Sequence, residues 1–315
     1  MSEENYLNVH EGDFDMKILV TGITGFIGHH LGERLINDGH EVHAIVRPTS
    51  KIDELSDNLR RNVTFHVYDK DNTILDIVSD LCADGRPDLV YHLAGLVVTN
   101  HKFEGIQDLI QSNITFGTEL LDAMIANGIY NFVNVDTFAQ HYEDANYSPT
   151  NLYAATKQCF KDIMQYYIEA ENLKQISLCV FNSYGSDDKG GRIFALLKKI
   201  SETGETLKMS PGEQLIDIVY IDDVVEAFIL AGKILTASKY DYCGTYGVSS
   251  TKPIPLREVV KIFEDVAGKK LSIEWGGRPY RAREIMVPWH SYKLLPGWQP
   301  KIPLQEGIRK FLKLK

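Results

Sequence analysis

The chain is poor in the features that mark several large classes of protein. It has four cysteines in 315 residues, Cys82, Cys159, Cys179 and Cys243, spread widely and in no CxxC pair. That excludes a disulfide framework and fits a reduced compartment with buried thiols. No apolar run approaches the roughly 20 residues of a membrane-spanning helix, so no membrane partner is expected. Basic residues are in deficit: 33 Lys and Arg stand against 43 Asp and Glu, for a formal net charge of −10. That balance argues against nucleic acid or an anionic membrane surface as partner. There is no internal repeat, no low-complexity segment and no cluster with metal-ligand spacing, so no metal is expected. Residues 1–15 are polar and acidic and show no signal-peptide pattern; they read as a tail outside the fold, and the chain as cytoplasmic.

What the chain does have is an ordinary globular balance, 44% hydrophobic and 24% charged, with length enough for one large α/β domain or two close-packed ones. Its organising stretch runs from Lys17 to Leu31, KILVTGITGFIGHHL. It reads as a buried strand that turns through Gly22, Gly25 and Gly28 into a helix. Glycine lets the turn run tightly and approach a bound group, and the helix start presents amides and the positive dipole end to a diphosphate. Gly28, inside the helix, lets the helix pack closely. A glycine turn between strand and helix is the context a dinucleotide site requires.

Downstream, strand patterns at Glu41–Val46, Val63–Tyr68, Leu89–Leu93, Asn131–Val135 and Gln175–Phe181 alternate with helical ones. The helices are expected at about 71–83, 104–127 and 151–171. This alternation specifies an α/β fold, a doubly wound parallel sheet with helices on both faces and ligands at the carboxyl ends of its strands. Beyond Asn182 the pattern loosens, with helices at about 192–203, 222–233 and 256–266 and a strand over 215–220. The organisation expected is a dinucleotide-binding domain of residues 16–181 plus about 215–245, and a smaller C-terminal domain of about 182–214 plus 246–315.

The strongest chemical constellation is Tyr153-Ala154-Ala155-Thr156-Lys157. Tyrosine and lysine at i and i+4 share a helix face. A phenol of pKa near about 10 is a poor acid–base group at neutral pH; an ammonium one turn away favours the phenolate and is expected to lower that value. Lys157 can also hydrogen-bond a cofactor ribose. Thr137, just after the fifth strand, can reach a substrate carbonyl beside Tyr153. His29, His30 and Asn113 read as structural, and Asp222 and Asp223 as helix caps.

The Thr21–Gly28 turn, Thr137 and the Tyr153/Lys157 pair resemble the extended short-chain dehydrogenase/reductase family, also called the NAD-dependent epimerase/dehydratase family. The resemblance covers nearly the whole chain, through Tyr220-Ile221-Asp222-Asp223 and Gly297-Trp298-Gln299-Pro300. It implies a Rossmann domain binding NAD or NADP, a C-terminal domain holding a nucleotide-sugar, and a homodimer through a four-helix bundle of the helices at about 104–127 and 151–171. Within the family the chain is most similar to nucleotide-sugar 4-ketoreductases of the CDP-abequose synthase kind, through Val135-Asp136-Thr137-Phe138, Pro211-Gly212-Glu213-Gln214 and Arg281–Met286.

The resemblance assigns Tyr153, Lys157 and Thr137 to catalysis. To the cofactor it assigns Gly22, Thr24, Gly25, Phe26, Ile27, Gly28, Asp69, Leu93, Ala94 and Gly95, with Tyr153 and Lys157. To the substrate it assigns Asn182 and Arg281 beside Thr137, with Arg192 and Arg278 as further candidates for its diphosphate. NAD enzymes usually carry an acid at the end of the second strand. Here Arg47 stands there and no acid follows until Asp53, which favours NADP(H); an Arg47 stacked on adenine leaves NAD(H) open. The reading is a reductase of a 4-keto nucleotide-sugar, with an NAD-dependent 4-epimerase or C4 dehydrogenase as the alternative. Phe138-Ala139 replaces the Asp-Glu pair of family dehydratases, so dehydratase activity is not expected.

Overall fold

The structure is a computed structural model that describes residues 15–188, 192–237 and 243–314. Of the expected N-terminal tail, residues 1–14 lie outside the described residues. The chain begins β1 (Lys17–Thr21), α1 (Phe26–Asn37), β2 (Glu41–Val46), α2 (Asp57–Asn62), β3 (Val63–Val67), α3 (Ile74–Cys82) and β4 (Leu89–His92). It continues with α4 (Ile106–Ile110), α5 (Phe116–Ala126), β5 (Asn131–Thr137), α6 (Leu152–Glu171), β6 (Lys174–Val180), β7 (Asn182–Tyr184), α7 (Ile193–Thr203) and β8 (Leu207–Met209). Then come β9 (Leu215–Ile216), β10 (Ile218–Tyr220), α8 (Ile221–Ala237), β11 (Cys243–Val248), β12 (Ile254–Pro255), α9 (Leu256–Ala267), β13 (Ile273–Trp275) and α10 (Leu304–Leu312).

Seven strands form one parallel sheet in the order β11-β6-β5-β4-β1-β2-β3. The strand order reverses between β1 and β4, and that switch point opens a crevice at the carboxyl ends, where such sheets bind ligands. Continuous apolar strands such as Leu89–His92 are buried along their whole length because helices cover both faces. On one face Ile77 and Leu81 of α3, Leu120 and Met124 of α5, and Phe160 and Met164 of α6 close over Leu19, Val90 and Phe132. On the other, Leu31 and Leu35 of α1 and Val224 and Phe228 of α8 share one continuous core with Phe194, Phe263 and Phe311 of α7, α9 and α10. The C-terminal elements are therefore fused to the sheet domain by shared apolar burial. They add three small pairings, β7 with β10, β9 with β12 and β8 with β13.

Four local differences from the sequence reading have physical causes. The helix expected over 104–127 contains a wide π-type turn at Gln111–Thr115. That turn carries buried Asn113 inward, where Oδ1 accepts from Leu96 N–H (2.6 Å) and Nδ2 donates to the Leu96 carbonyl and Thr156 Oγ1 (both 3.0 Å). The strand expected over 215–220 breaks at Asp217, whose buried carboxylate is drawn to Ser249 Oγ (2.6 Å) and Ser250 N–H (2.7 Å) just past β11. Strand β11, with Gly244 and Gly247, has no apolar alternation, and only its pairing with β6 makes it a strand. Asp223 is not a helix cap. Its carboxylate accepts from Lys301 and Ile302 N–H (3.0 and 2.9 Å), and Asp222 instead reaches Lys310 at 3.1 Å.

Candidate active site and dinucleotide cradle

The turn after β1 is shaped by what its glycines lack. Gly22 has φ +77°, in the left-handed region. A Cβ there would lie 2.5 Å from Ala94 N and 2.6 Å from Leu93 C, so the turn rests directly on the end of β4. A Cβ on Gly28 would lie 2.1 Å from the Gly22 carbonyl oxygen, so the first turn of α1 packs on the loop that precedes it. Gly25 opens α1 without a side-chain cap, and its own N–H donates to Gly22 O at 2.9 Å. The next amides at this helix start have no intrahelical acceptor. An uncapped helix start behind a glycine turn, at the sheet's switch point, fits a dinucleotide diphosphate.

Leu93-Ala94-Gly95 borders the same crevice: Leu93 N–H donates to Thr21 O (3.1 Å) and Ala94 N–H to Thr21 Oγ1 (3.3 Å). At the far end of β2, Arg47 is exposed, and its backbone N–H is held by Ser50 Oγ at 3.0 Å. Asp69 uses Oδ1 to accept from Asp71 and Asn72 N–H (2.9 and 3.0 Å), which shapes its own loop.

The catalytic candidates meet at the ends of β5 and α6. Asn151 Oδ1 caps α6 by accepting from Ala154 N–H (2.9 Å), which puts Tyr153 in the first turn and Lys157 one turn on. The Tyr153 phenol is hydrogen-bonded to Thr137. Lys157 and Asp136 are each only 4% exposed. Asp136 is the functional neighbour the sequence reading missed. Its Oδ1 accepts from Thr137 N–H at 2.9 Å, and its charge acts on both Tyr153 and Lys157.

Electrostatics here differ from the expectation. Burial and the Asp136 charge push the Tyr153 phenol above its ordinary value, while the Thr137 hydrogen bond and Arg192 pull it down. Burial lowers Lys157, and Asp136 opposes that fall. The leading influences on the phenol are thus burial and Asp136 rather than the expected Lys157, and the same Asp136 charge acts on Lys157. Burial in turn raises Asp136 itself. An aspartate near the end of a strand carries no sequence signal of this role, because only the packing of α6 against β5 brings it beside Lys157.

The substrate candidates separate. Asn182 Nδ2 donates to Asp217 O (2.9 Å). Arg192 donates to Ser183 O and Oγ (3.1 and 3.3 Å) and lies 4.8 Å over the Phe26 ring, so it bridges β7 to the glycine turn. Arg281 and Arg278 are exposed, and Arg281 engages Glu284 through its backbone N–H (3.3 Å). Arg283 is the arginine that turns toward the segment after Thr137: Nη2 donates to Ser148 Oγ (2.7 Å), and the guanidinium lies 4.2 Å from the Tyr142 ring.

The same wall is built by His141 stacked on Trp289 (3.7 Å), Phe138 stacked on Phe181 (5.0 Å) and Asp144, which accepts from His290 and Ser291 N–H (2.8 and 3.1 Å). Phe138 in this apolar stack leaves no acidic pair after Thr137.

This fold and this constellation define a class. The profile of the NAD dependent epimerase/dehydratase family matches residues 18–239, and the chain belongs to that family. It is thus an NAD(P)-dependent enzyme of the oxidoreductase type.

Among individual proteins, it is 29% identical to CDP-abequose synthase of Salmonella muenchen over 96% of this chain and 99% of that one. It is 26% identical to UDP-glucuronate 4-epimerase of Thermodesulfobacterium geofontis, over 93% and 94% of the two chains. Among solved structures, UDP-glucose 4-epimerase of Thermus thermophilus in complex with NAD matches with TM-score 0.75 and 27% identity, over 95% of this chain and 98% of that one. The UDP-glucose 4-epimerase of Thermotoga maritima has the same fold, with TM-score 0.79 at 24% identity over 95% and 98%. Among the described residues, no helix is long and apolar enough to cross a membrane.

Proposed function

We propose that the protein is an NADP(H)-dependent reductase of a 4-keto nucleotide-sugar, the sugar bound beneath the C-terminal segment and the dinucleotide on the Gly22–Gly28 turn. The observation that carries the reading is the Tyr153–Thr137 contact beside buried Lys157, at the carboxyl edge of the sheet that also holds the turn. A bound nicotinamide supplies the hydride, delivered to C4. Tyr153 gives its proton to the carbonyl oxygen, Thr137 orients that oxygen, and Lys157 stands beside the phenolate that remains until solvent reprotonates it. The ketone gains a hydride and a proton and becomes the alcohol. Exposed Arg47 at the end of β2 supports NADP by offering a guanidinium to a 2′-phosphate. Similarity to CDP-abequose synthases along nearly the whole chain supports reduction. The apolar stack of Phe138 speaks against dehydration.

A second reading, an NAD-dependent 4-epimerase or C4 dehydrogenase, is favoured by the 4-epimerases among the relatives and the solved structures. It would use the same three residues. The test is incubation with NADPH or NADH and a panel of 4-keto nucleotide-sugars, following cofactor absorbance. NADPH consumption is the expected result; NAD retained through purification, with interconversion of 4-epimers, selects the second reading. Tyr153→Phe should lower kcat by about 10²–10⁴-fold with dinucleotide binding retained. Normal turnover by that variant would rule out the tyrosine as proton donor.

A further inference from the structure

Helix α1 carries two adjacent histidines in its first turns, and the proposed reaction uses neither. Asp187, in the loop after β7, descends on both. Its carboxylate contacts Nε2 of His29 and, at 2.9 Å, Nε2 of His30, 157 residues away in sequence. One donor atom from each of the three residues lies within 4.8 Å of the others. The two imidazole rings are 4.1 Å apart and tilted by 34°, which turns both Nε2 atoms to one side.

The hydrogen bonding of His29 calls for positive charge at its Nε2. Its Nδ1 lies 3.0 Å from the Gly25 carbonyl oxygen. A carbonyl only accepts, so Nδ1 carries the hydrogen. In the neutral tautomer Nε2 then presents a lone pair to a carboxylate, acceptor against acceptor. A second proton or a bound metal ion at Nε2 removes the conflict. A carbonyl that fixes the other ring nitrogen is also the outer partner that metal-ligating histidines ordinarily have.

We propose that His29, His30 and Asp187 form a binding site for a divalent transition metal, best matched by Zn²⁺, that staples α1 to the loop after β7. Two imidazoles and one carboxylate are a zinc donor set with a position left for water. Magnesium and calcium prefer all-oxygen shells. The three side chains are 24%, 25% and 38% exposed, which leaves an entry path for the ion. Because Gly25 both opens α1 and orients His29, a bound metal would brace the dinucleotide turn from behind.

The test uses the full chain carrying Cys159→Ser and Cys243→Ser, which removes the exposed thiols as competing ligands. Zn²⁺ is titrated against a chromophoric chelator, and Co²⁺ binding is followed by absorption. One ion per chain is expected, with cobalt d–d bands and no thiolate charge-transfer band. His30→Gln and Asp187→Asn should each weaken binding at least about 10-fold, and Zn²⁺ should raise the melting temperature of the parent but not of the variants. His30→Gln leaves the His29–Asp187 contact intact, so it reports on the metal even if Asp187→Asn loosens the loop. Equal affinity in parent and variants, or no binding by the parent, would overturn the proposal.

Discussion

Asp136 changes what its neighbours can do more than any other residue at the site. A buried carboxylate beside Tyr153 raises the phenol, and beside Lys157 it supports the ammonium against burial. In reduction Tyr153 acts in its protonated form, so a raised value extends activity toward alkaline pH. Asp136→Asn removes the charge and retains an acceptor for Thr137 N–H. The phenol then loses one of the two leading causes of its rise, and the alkaline limb of kcat/KM against pH should move to lower pH. A limb that stays in place would mean that Asp136 does not tune the proton donor. Its electrostatic role was not legible in the sequence because Val135-Asp136-Thr137 reads as a strand running into a loop. Tyr153 and Lys157 were legible because their spacing along one helix already carries the geometry.

At the scale of elements, the β1–α1 unit was readable almost residue by residue. Its geometry is local: a strand, a turn with positive φ at Gly22, and a helix start. Gly28→Ala would drive a methyl into the Gly22 carbonyl, and overpacking of this kind costs about 1–3 kcal/mol. Urea denaturation should register that loss, and dinucleotide affinity should fall with it because the turn must shift. Gly105→Ala is the control: nothing lies within 4 Å of the added Cβ, so stability should change by less than about 0.5 kcal/mol. The elements that escaped the sequence reading, β7, β11 and the break at Asp217, depend on partners far along the chain. Strand β11 forms because β6 offers an unpaired edge, and Asp217 leaves its strand because Ser249 and Ser250 arrive there.

At the scale of the whole molecule, a histidine at the centre of the sheet makes stability respond to pH. His92 is fully buried at the end of β4, with Nδ1 bonded to Thr21 Oγ1 at 2.8 Å and its ring among Phe116, Phe132 and Phe160. Burial, with Lys157 nearby, depresses its pKa to about 3 from an ordinary 6.5. The unfolded chain therefore binds a proton that the folded one refuses. The stability that neutral His92 supports is complete above about 6.5 and is lost as the pH falls toward 3. The slope from this residue is at most about 1.4 kcal/mol per pH unit. Urea midpoints measured between those limits should fall in the wild type and fall less in His92→Phe. At the same scale we propose the dimer that the family resemblance implies. Ile110 of α4 and Tyr166 of α6 are exposed apolar side chains on the helices concerned. Sedimentation should show a dimer, and Tyr166→Asp should shift it toward monomer; a wild-type monomer would refute the arrangement.

By itself the sequence determined the alternation of strand and helix, the glycine turn and the tyrosine–lysine pair, because each is written within a few residues by hydrophobic period, backbone freedom or helical spacing. The parallel sheet followed, since short crossovers between buried strands leave few other topologies. Tertiary structure alone decided which charges share a buried volume and which arginine reaches the segment after Thr137. Asp136 meets Lys157 across two elements, Arg283 rather than Arg281 closes on the segment after Thr137, and Asp187 reaches His29 and His30. Such contacts arise from the packing of distant segments against one another, and no spacing along the chain encodes them.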